Sequence, residues 1–334
     1  MITDRRAFDP DAQPDAILHR EQALTAIASA VRTDEVNPRP VVIDGPSGVG
    51  KTTVARETLN RAEAELFDIS TAYVGCARKS RAAVLRDLVS DTVGSHAVYP
   101  SKGSAELVDT LARWDTGMLV VLDELDQCEE PEVLRDCYDL NGCHVIAIAN
   151  EETAIFAHAE EGLQSRLAGR EHVHLDRYTD TELEAILDAR ITAGLQSRAL
   201  IHDDAIDAIV AAADGDARSA IAMLQAAIKA VDAGAYDSVT PATVQGTTDD
   251  AAETLLQTAL QKLNDETRLV YHTLEDADEQ LRSGELFKRY EAASENPVTR
   301  RTFTDYLNKL QSYGLVVDNG EATSRRRYFT ADPL

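Results

Sequence analysis

The sequence predicts an α/β protein: a parallel sheet with helices on both faces, then a helical lid, then a winged helix-turn-helix. Three observations carry this expectation. A glycine-rich loop joins a short apolar strand to a helix within residues 41–62. Strand-like apolar runs then recur with helical patterns between most of them, the signature of parallel strands joined by crossover helices. From residue 251 the pattern changes to helices followed by a hairpin, at a size that fits a winged helix.

The loop comes first because it fixes the register of everything after it. Val41-Val42-Ile43-Asp44-Gly45-Pro46-Ser47-Gly48-Val49-Gly50-Lys51-Thr52-Thr53 fits the spacing G-x-x-x-x-G-K-[ST] without a gap. The glycines let the backbone wrap an anion, so N–H groups from Ser47 to Thr53 and the following helix N-terminus face phosphates. Lys51 would reach the β- and γ-phosphates of ATP or ADP, and the Thr52 hydroxyl would ligate Mg²⁺.

Strands are expected at Val41–Asp44, Thr71–Gly75, Met118–Leu122, Val145–Ala149 and His172–Leu175, and a first helix at Arg20–Val31. These elements make a nucleotide-binding core over residues 1–177. A helical lid follows over 178–245. It opens with the capping box Thr179-x-x-Glu182, which leads a helix with Leu183, Ile186, Leu187 and Ile191 on one face. Two more lid helices are expected near Asp204–Ala213 and Ala217–Asp232, and Gly246–Asp250 reads as a polar linker. The unit 251–334 ends in a strand at Leu315–Asp318, the turn pair Asn319-Gly320 and a strand within Arg325–Ala331.

Composition bounds the setting. The 334 residues carry 58 acidic side chains against 33 basic ones, of which only seven are Lys, for a formal charge of −25. Such an acidic, Lys-poor surface suits a halophile's cytosol and self-repels at low salt. Met1–Arg6 has no apolar leader segment, and no apolar run approaches a membrane span, so the expected location is cytoplasmic, without membrane partners. Cys76, Cys128, Cys137 and Cys143 lack C-x-x-C spacing and read as reduced, buried thiols.

The remaining chemistry falls at strand ends. Met118–Leu122 runs into Asp123 and Glu124; Asp123 would hold Mg²⁺ and Glu124 would orient and polarise an attacking water. Asn150 ends the next strand and could hold the same water. Gly215-Asp216-Ala217-Arg218 puts Arg218 in the first turn of a helix, where the dipole disfavours a cation unless it faces a phosphate. Arg166, in Gln164-Ser165-Arg166-Leu167, could project into a neighbouring subunit as an arginine finger, with Arg170 as a competitor. A helix over Thr299–Tyr313 would bury Phe303, Leu307 and Leu310. Its other face carries Arg300, Arg301, Thr304 and Asn308, types suited to phosphate and base-edge contacts with double-stranded DNA. Arg325, Arg326 and Arg327 lie in or beside the hairpin tip, within reach of a minor groove. Residues 298–330 hold six basic side chains against three acidic ones, a basic island in an acidic chain.

Taken in order, these motifs resemble the Orc1/Cdc6 family of archaeal replication initiators, AAA+ ATPases with a winged-helix tail. The resemblance covers nearly the whole chain. It rests also on Phe8-Asp9-Pro10-Asp11 with Ile17-Leu18-His19-Arg20-Glu21, on Tyr73-Val74-Gly75-Cys76 with Val84-Leu85, on Leu122-Asp123-Glu124-Leu125-Asp126, and on Phe303-x-x-Tyr306-Leu307. It implies that Ile17 lies beside the adenine and that Tyr178 and Arg190, within Tyr178-Thr179-Asp180-Thr181-Glu182-Leu183-Glu184-Ala185-Ile186-Leu187-Asp188-Ala189-Arg190, touch the nucleotide. It further implies origin recognition in a halophilic archaeon, nucleoid association, self-assembly on DNA, a replicative helicase as partner and slow ATP hydrolysis acting as a switch. One departure stands out: the family's Arg ahead of its Ser-Ser-Leu is replaced by Gly162, before Ser165-Arg166-Leu167. Two rival readings use the same residues. One is a DNA-binding regulator that holds nucleotide and scarcely hydrolyses it; the other is a clamp-loader-like or transposition ATPase.

Overall fold

The structure is a computed structural model that describes residues 2–31, 39–65, 68–99, 101–150, 169–261, 263–277, 279–320 and 326–331. Its contacts divide the chain into two compact units: Asp11–Arg190 with Asp214–Arg218, and Met1–Pro10 with Ile191–Ala213 and Ser219–Leu334.

In the first unit, five strands form one sheet: β1 (Val41–Asp44), β2 (Ile69–Gly75), β3 (Gly117–Asp123), β4 (Cys143–Ile148) and β5 (Glu171–His174). The spatial order is β2-β3-β4-β1-β5, and every neighbouring pair is parallel. All five lie within two residues of the runs expected from apolar content. Helices α1 (Glu21–Ala30), α2 (Lys51–Glu65), α3 (Arg81–Thr92), α4 (Ser104–Ala112) and α5 (Val133–Asp139) cover the sheet.

Strand periodicity explains how two layers of helix are served by one sheet. Alternate side chains point to opposite faces, so a strand buried on both sides must be apolar throughout. Val41, Ile43, Leu119, Val121, Ile146, Ile148 and Val173 pack with Leu24 and Ile27 of α1 and Val54 and Leu59 of α2. Their neighbours Val42, Met118, Val120, Leu122, Val145 and Ala147 pack on the other face with Leu85 and Leu88 of α3, Leu107 of α4 and Leu134 of α5. Each such Val, Leu, Ile or Met side chain removed from water contributes about 1.5–3 kcal/mol. Because the strands are parallel, the carboxyl ends of β1, β4 and β3 lie side by side at one edge of this packed slab.

In the second unit the amino-terminal segment is tied down by its own contacts. The Thr3 amide donates to Gly194 O at 2.8 Å, and Gln225 Nε2 donates to Phe8 O at 2.8 Å. The Phe8 ring fills the place of a side chain at Gly194, where a Cβ would meet it at 2.3 Å. The helices Asp203–Ala213 and Ala217–Asp232 start within a residue of their expected positions. The stretch Gly246–Asp250, expected as a linker, is instead mostly helical. Helix Pro241–Gly246 passes through Thr247 into helix Thr248–Gln261. Thr247 is buried, with its hydroxyl donating to Thr243 O at 2.9 Å, so polar composition here reflects threonines bonding back to the preceding turn.

The carboxyl-terminal part has helices Asp265–Glu275, Ser283–Ala293 and Arg300–Ser312, and an antiparallel pair, β6 (Val316–Asp318) and β7 (Tyr328–Thr330). Asn264 and Thr299 cap two of the helices through their side-chain oxygens. Phe303, Leu307 and Leu310 are buried as expected, and Phe303 meets the Phe287 ring at 5.0 Å and Tyr290 at 5.4 Å. Gly320 takes φ 68° after Asn319, which turns the chain beyond β6.

Phe303→Ala is expected to destabilise this part by about 3–5 kcal/mol, as large-to-small changes of buried aromatics do. A denaturant titration followed by circular dichroism reads it; a midpoint unchanged from the parent would mean that the aromatic cluster does not hold these helices.

Candidate nucleotide site

The site is assembled at the carboxyl ends of β1, β3 and β4. After β1 the chain turns through Gly45, Gly48 and Gly50, all at positive φ (140°, 73° and 88°), before α2 begins at Lys51. Space as well as torsion requires two of these glycines. A Cβ at Gly45 would sit 2.2 Å from Leu175 O, and one at Gly48 would sit 1.9 Å from Asp216 Oδ1. Ser47 is exposed, Val49 is buried beneath the loop, and the Thr53 carbonyl accepts a bond from Gln13 Nε2 at 3.0 Å.

Lys51 folds back over the loop. Its Nζ donates to Gly45 O and Pro46 O at 2.7 Å each and to Asn150 Oδ1 at 3.1 Å. Burial lowers its pKa, and the negative charges of Asp123, Asp126, Asp44 and Asp216 act in the opposite direction. Asn150 is thus beside the phosphate loop, as its place after β4 suggested. Thr52 Oγ1 donates to Asp123 Oδ2 at 2.7 Å, and Tyr73 Oη donates to the same oxygen at 2.6 Å. The other oxygen, Oδ1, accepts the Glu124 amide at 2.8 Å. Burial, and then Asp123, push the Tyr73 phenol well above its ordinary value, so it remains a donor.

Glu124 sits in the left-handed region at φ 53°, ψ 41°. Non-glycine residues held there cost of the order of 1–3 kcal/mol and cluster at functional sites. Two residues on, Asp126 is raised above the usual carboxylate range by burial; its Oδ2 accepts the Asn150 amide at 3.3 Å while its buried Oδ1 makes no hydrogen bond.

A second group of side chains braces the loop from outside. The Arg20 guanidinium, 9% exposed, lies 3.8 Å from the Tyr178 ring centroid and donates to Val49 O at 3.1 Å and Asp176 O at 2.8 Å. Tyr178 Oη lies where a Cβ at Gly50 would be 2.9 Å away. Thr179 then caps the next helix: its amide donates to Glu182 Oε2 at 2.8 Å, the capping box read from the sequence. The turn Asp214-Gly215, both at positive φ, lets the Ala217 amide donate to Gly48 O at 3.2 Å. Arg218 follows directly. Its Nη2 lies 3.3 Å from Asp11 Oδ1, while Nε and Nη2 are buried without a hydrogen bond. Arg190 Nη2 donates to Ala12 O at 3.0 Å, and Ile17 is half-buried against the α1–α2 face of the sheet.

Other expected residues lie elsewhere. Arg166 is outside the described residues, as is Arg325. Arg170 stands just before β5, at the end of the sheet away from the phosphate loop. Arg300, Arg301, Thr304 and Asn308 are all exposed on one helix. Arg326 Nε lies 3.6 Å from Asp318 Oδ2, and Arg327 Nη1 donates to Gln280 O at 3.0 Å. Three further residues of the site, Arg20, Tyr73 and Asp126, stand in the sequence motifs quoted above but receive no individual role there. Arg20 carried a usable signal, since an Arg at a helix N-cap opposes the helix dipole and needs another partner.

The AAA domain family matches residues 34–174, the span from before β1 to the end of β5. The ORC1-type DNA replication protein 9 of Halobacterium salinarum is 32% identical over 337 residues, covering 99% of this chain and 94% of that protein. ORC1-type DNA replication protein 1 of the same organism is 29% identical, covering 90% and 99%. Among solved structures, the Aeropyrum pernix ORC1 protein in complex with DNA superposes with a TM-score of 0.75 at 22% identity, covering 99% of this chain and 94% of that one. A parallel sheet built on a phosphate loop, matched along almost its full length by these relatives, places the chain in the ORC1-type family of DNA replication proteins.

Proposed function

We propose that this protein is an ATP-dependent replication initiator. It would bind double-stranded origin DNA through its carboxyl-terminal winged helix and its AAA+ module, and help load a replicative helicase. The observation that carries the nucleotide half of this reading is Lys51, held by two loop carbonyls and Asn150 beside the Thr52–Asp123 pair. A phosphate chain entering the loop would replace those carbonyls as partners of the ammonium. Arg218 supports the same reading, because its Nε has no hydrogen bond and its Nη2 has only the Asp11 ion pair, so a phosphate oxygen would be a fitting acceptor.

The Thr52 hydroxyl and Asp123 carboxylate supply hard oxygen donors 2.7 Å apart, a set that fits Mg²⁺. When bound, that ion would neutralise charge on the β- and γ-phosphate oxygens. Glu124, presented by its left-handed backbone, would orient and polarise water, and Asn150 would help hold that water. Turnover is expected to be slow, in keeping with a switch. Arg166 is proposed as the trans-acting finger when copies assemble on DNA.

The DNA half rests on the helix Arg300–Ser312. Its buried face is Phe303, Leu307 and Leu310, and its exposed face presents Arg300, Arg301, Thr304 and Asn308. The β6–β7 pair would act as the wing, with Arg325 to Arg327 gripping phosphate or a minor groove. In the salt-rich cytoplasm of a halophile the Debye length falls to about 3 Å at 1 M, which hides the bulk charge of −25 from DNA but leaves contact-distance arginines effective.

Lys51→Ala is expected to abolish ATP and ADP binding in calorimetric titration; unchanged affinity would overturn the site. Glu124→Gln should retain binding and lose single-turnover hydrolysis, since an amide cannot polarise water as a carboxylate does. Replacing Arg300 and Arg301 by Ala should cost about 1–3 kcal/mol for each true base contact and blur sequence preference. Electrophoretic mobility shifts against origin and scrambled duplexes read this outcome, and equal loss on both duplexes would recast these arginines as phosphate contacts.

A further inference from the structure

Two histidines occupy alternate positions of β5, and side chains at i and i+2 of a strand share a face. The parallel register sets Asp44, the last residue of β1, directly beside His174, and Val42 beside His172. Asp44 Oδ1 lies 2.9 Å from His172 Nε2 and 2.8 Å from His174 Nδ1. The three candidate donor atoms all fall within 4.8 Å of one another. On its other side, His174 Nε2 faces Asp176 Oδ1 at 3.4 Å.

We propose that Asp44, His172 and His174 form a binding site for a divalent transition-metal ion of the Zn²⁺ type, one residue before the phosphate loop. The donor chemistry selects the class. Two imidazoles and a carboxylate are a set that zinc uses, water completing the tetrahedron, whereas Mg²⁺ and Ca²⁺ prefer oxygen throughout. The spacing is close to what the ion requires. Bonds of about 2.0–2.1 Å in a tetrahedron put donor atoms roughly 3.3 Å apart, so each contact to Asp44 lengthens by about half an ångström and the two imidazoles, within 4.8 Å of each other, close to the same spacing. Asp176 supplies the outer carboxylate that typically fixes the tautomer and orientation of a ligating imidazole. The histidine side chains are 39% and 50% exposed while that of Asp44 is 12% exposed, a largely covered anion beside two partly exposed ligands.

The ion would pin the edge strand β5 to the carboxyl end of β1, immediately before Gly45. It would be distinct from the Mg²⁺ proposed at Thr52 and Asp123, which lies toward β3 and uses oxygen donors.

The test uses the untagged full-length protein, titrated with Zn²⁺ by calorimetry and with Co²⁺ by absorption. One equivalent should bind, with visible d–d bands and without the near-ultraviolet charge-transfer band that a thiolate ligand gives. His172→Gln and His174→Gln should each weaken Zn²⁺ binding by more than about 100-fold, beyond the 10–100-fold typical of outer-shell changes. Both should keep the parent's circular dichroism and ATP affinity, and Zn²⁺ should raise the melting temperature of the parent alone. Should one variant misfold, the other decides. Absence of a stoichiometric site, a thiolate band, or undiminished affinity in a folded variant would each overturn the proposal.

Discussion

The ammonium of Lys51 is the interaction on which the phosphate site depends. A half-buried cation is costly unless it is paired and hydrogen-bonded, and here the loop supplies the partners. Gly45 O and Pro46 O can point inward only because Gly45 adopts a torsion and an approach to Leu175 that a side chain would forbid. The loop is in turn held from behind by Arg20 on Val49 O, and by Tyr178 packed against Gly50. Asp123, Asp126, Asp44 and Asp216 surround the ammonium at longer range and favour its charged form. The direct partners of the ammonium are thus the two loop carbonyls and Asn150, while the carboxylates act on it through charge.

Asp123 is held in the same dense way. Three donors converge on one carboxylate: Thr52 and Tyr73 on Oδ2, and the Glu124 amide on Oδ1. The last of these accompanies the left-handed turn that carries Glu124 away from the strand direction. A residue held in such a conformation is over-determined by its surroundings, here by the buried β3 behind it and by Leu125 packed beneath.

Much of this was legible in the chain because the relevant signals are local. Apolar runs located the five described strands of the parallel sheet, and the capping box at Thr179 and the spacing of Phe303, Leu307 and Leu310 located helices. What stayed hidden depends on register between distant segments. Nothing in the sequence brings Arg20 to Val49, Tyr73 to Asp123, or the His172/His174 pair to Asp44; helix packing does the first and sheet order the other two. The helical run through Gly246–Asp250 was misread for a related reason. Polar threonines and aspartates look like a linker, yet Thr247 is buried and returns its hydroxyl to the helix before it.

If this cradle is the nucleotide site proposed above, Lys51 and the loop amides should recognise the polyphosphate. Calorimetric titration of the full-length protein with AMP, ADP and ATP in molar KCl with Mg²⁺ tests it most directly. ADP and ATP should bind with AMP weaker by at least about 100-fold, equivalent to roughly 2.7 kcal/mol carried by the β-phosphate and beyond. AMP binding as tightly as ADP would contradict the account.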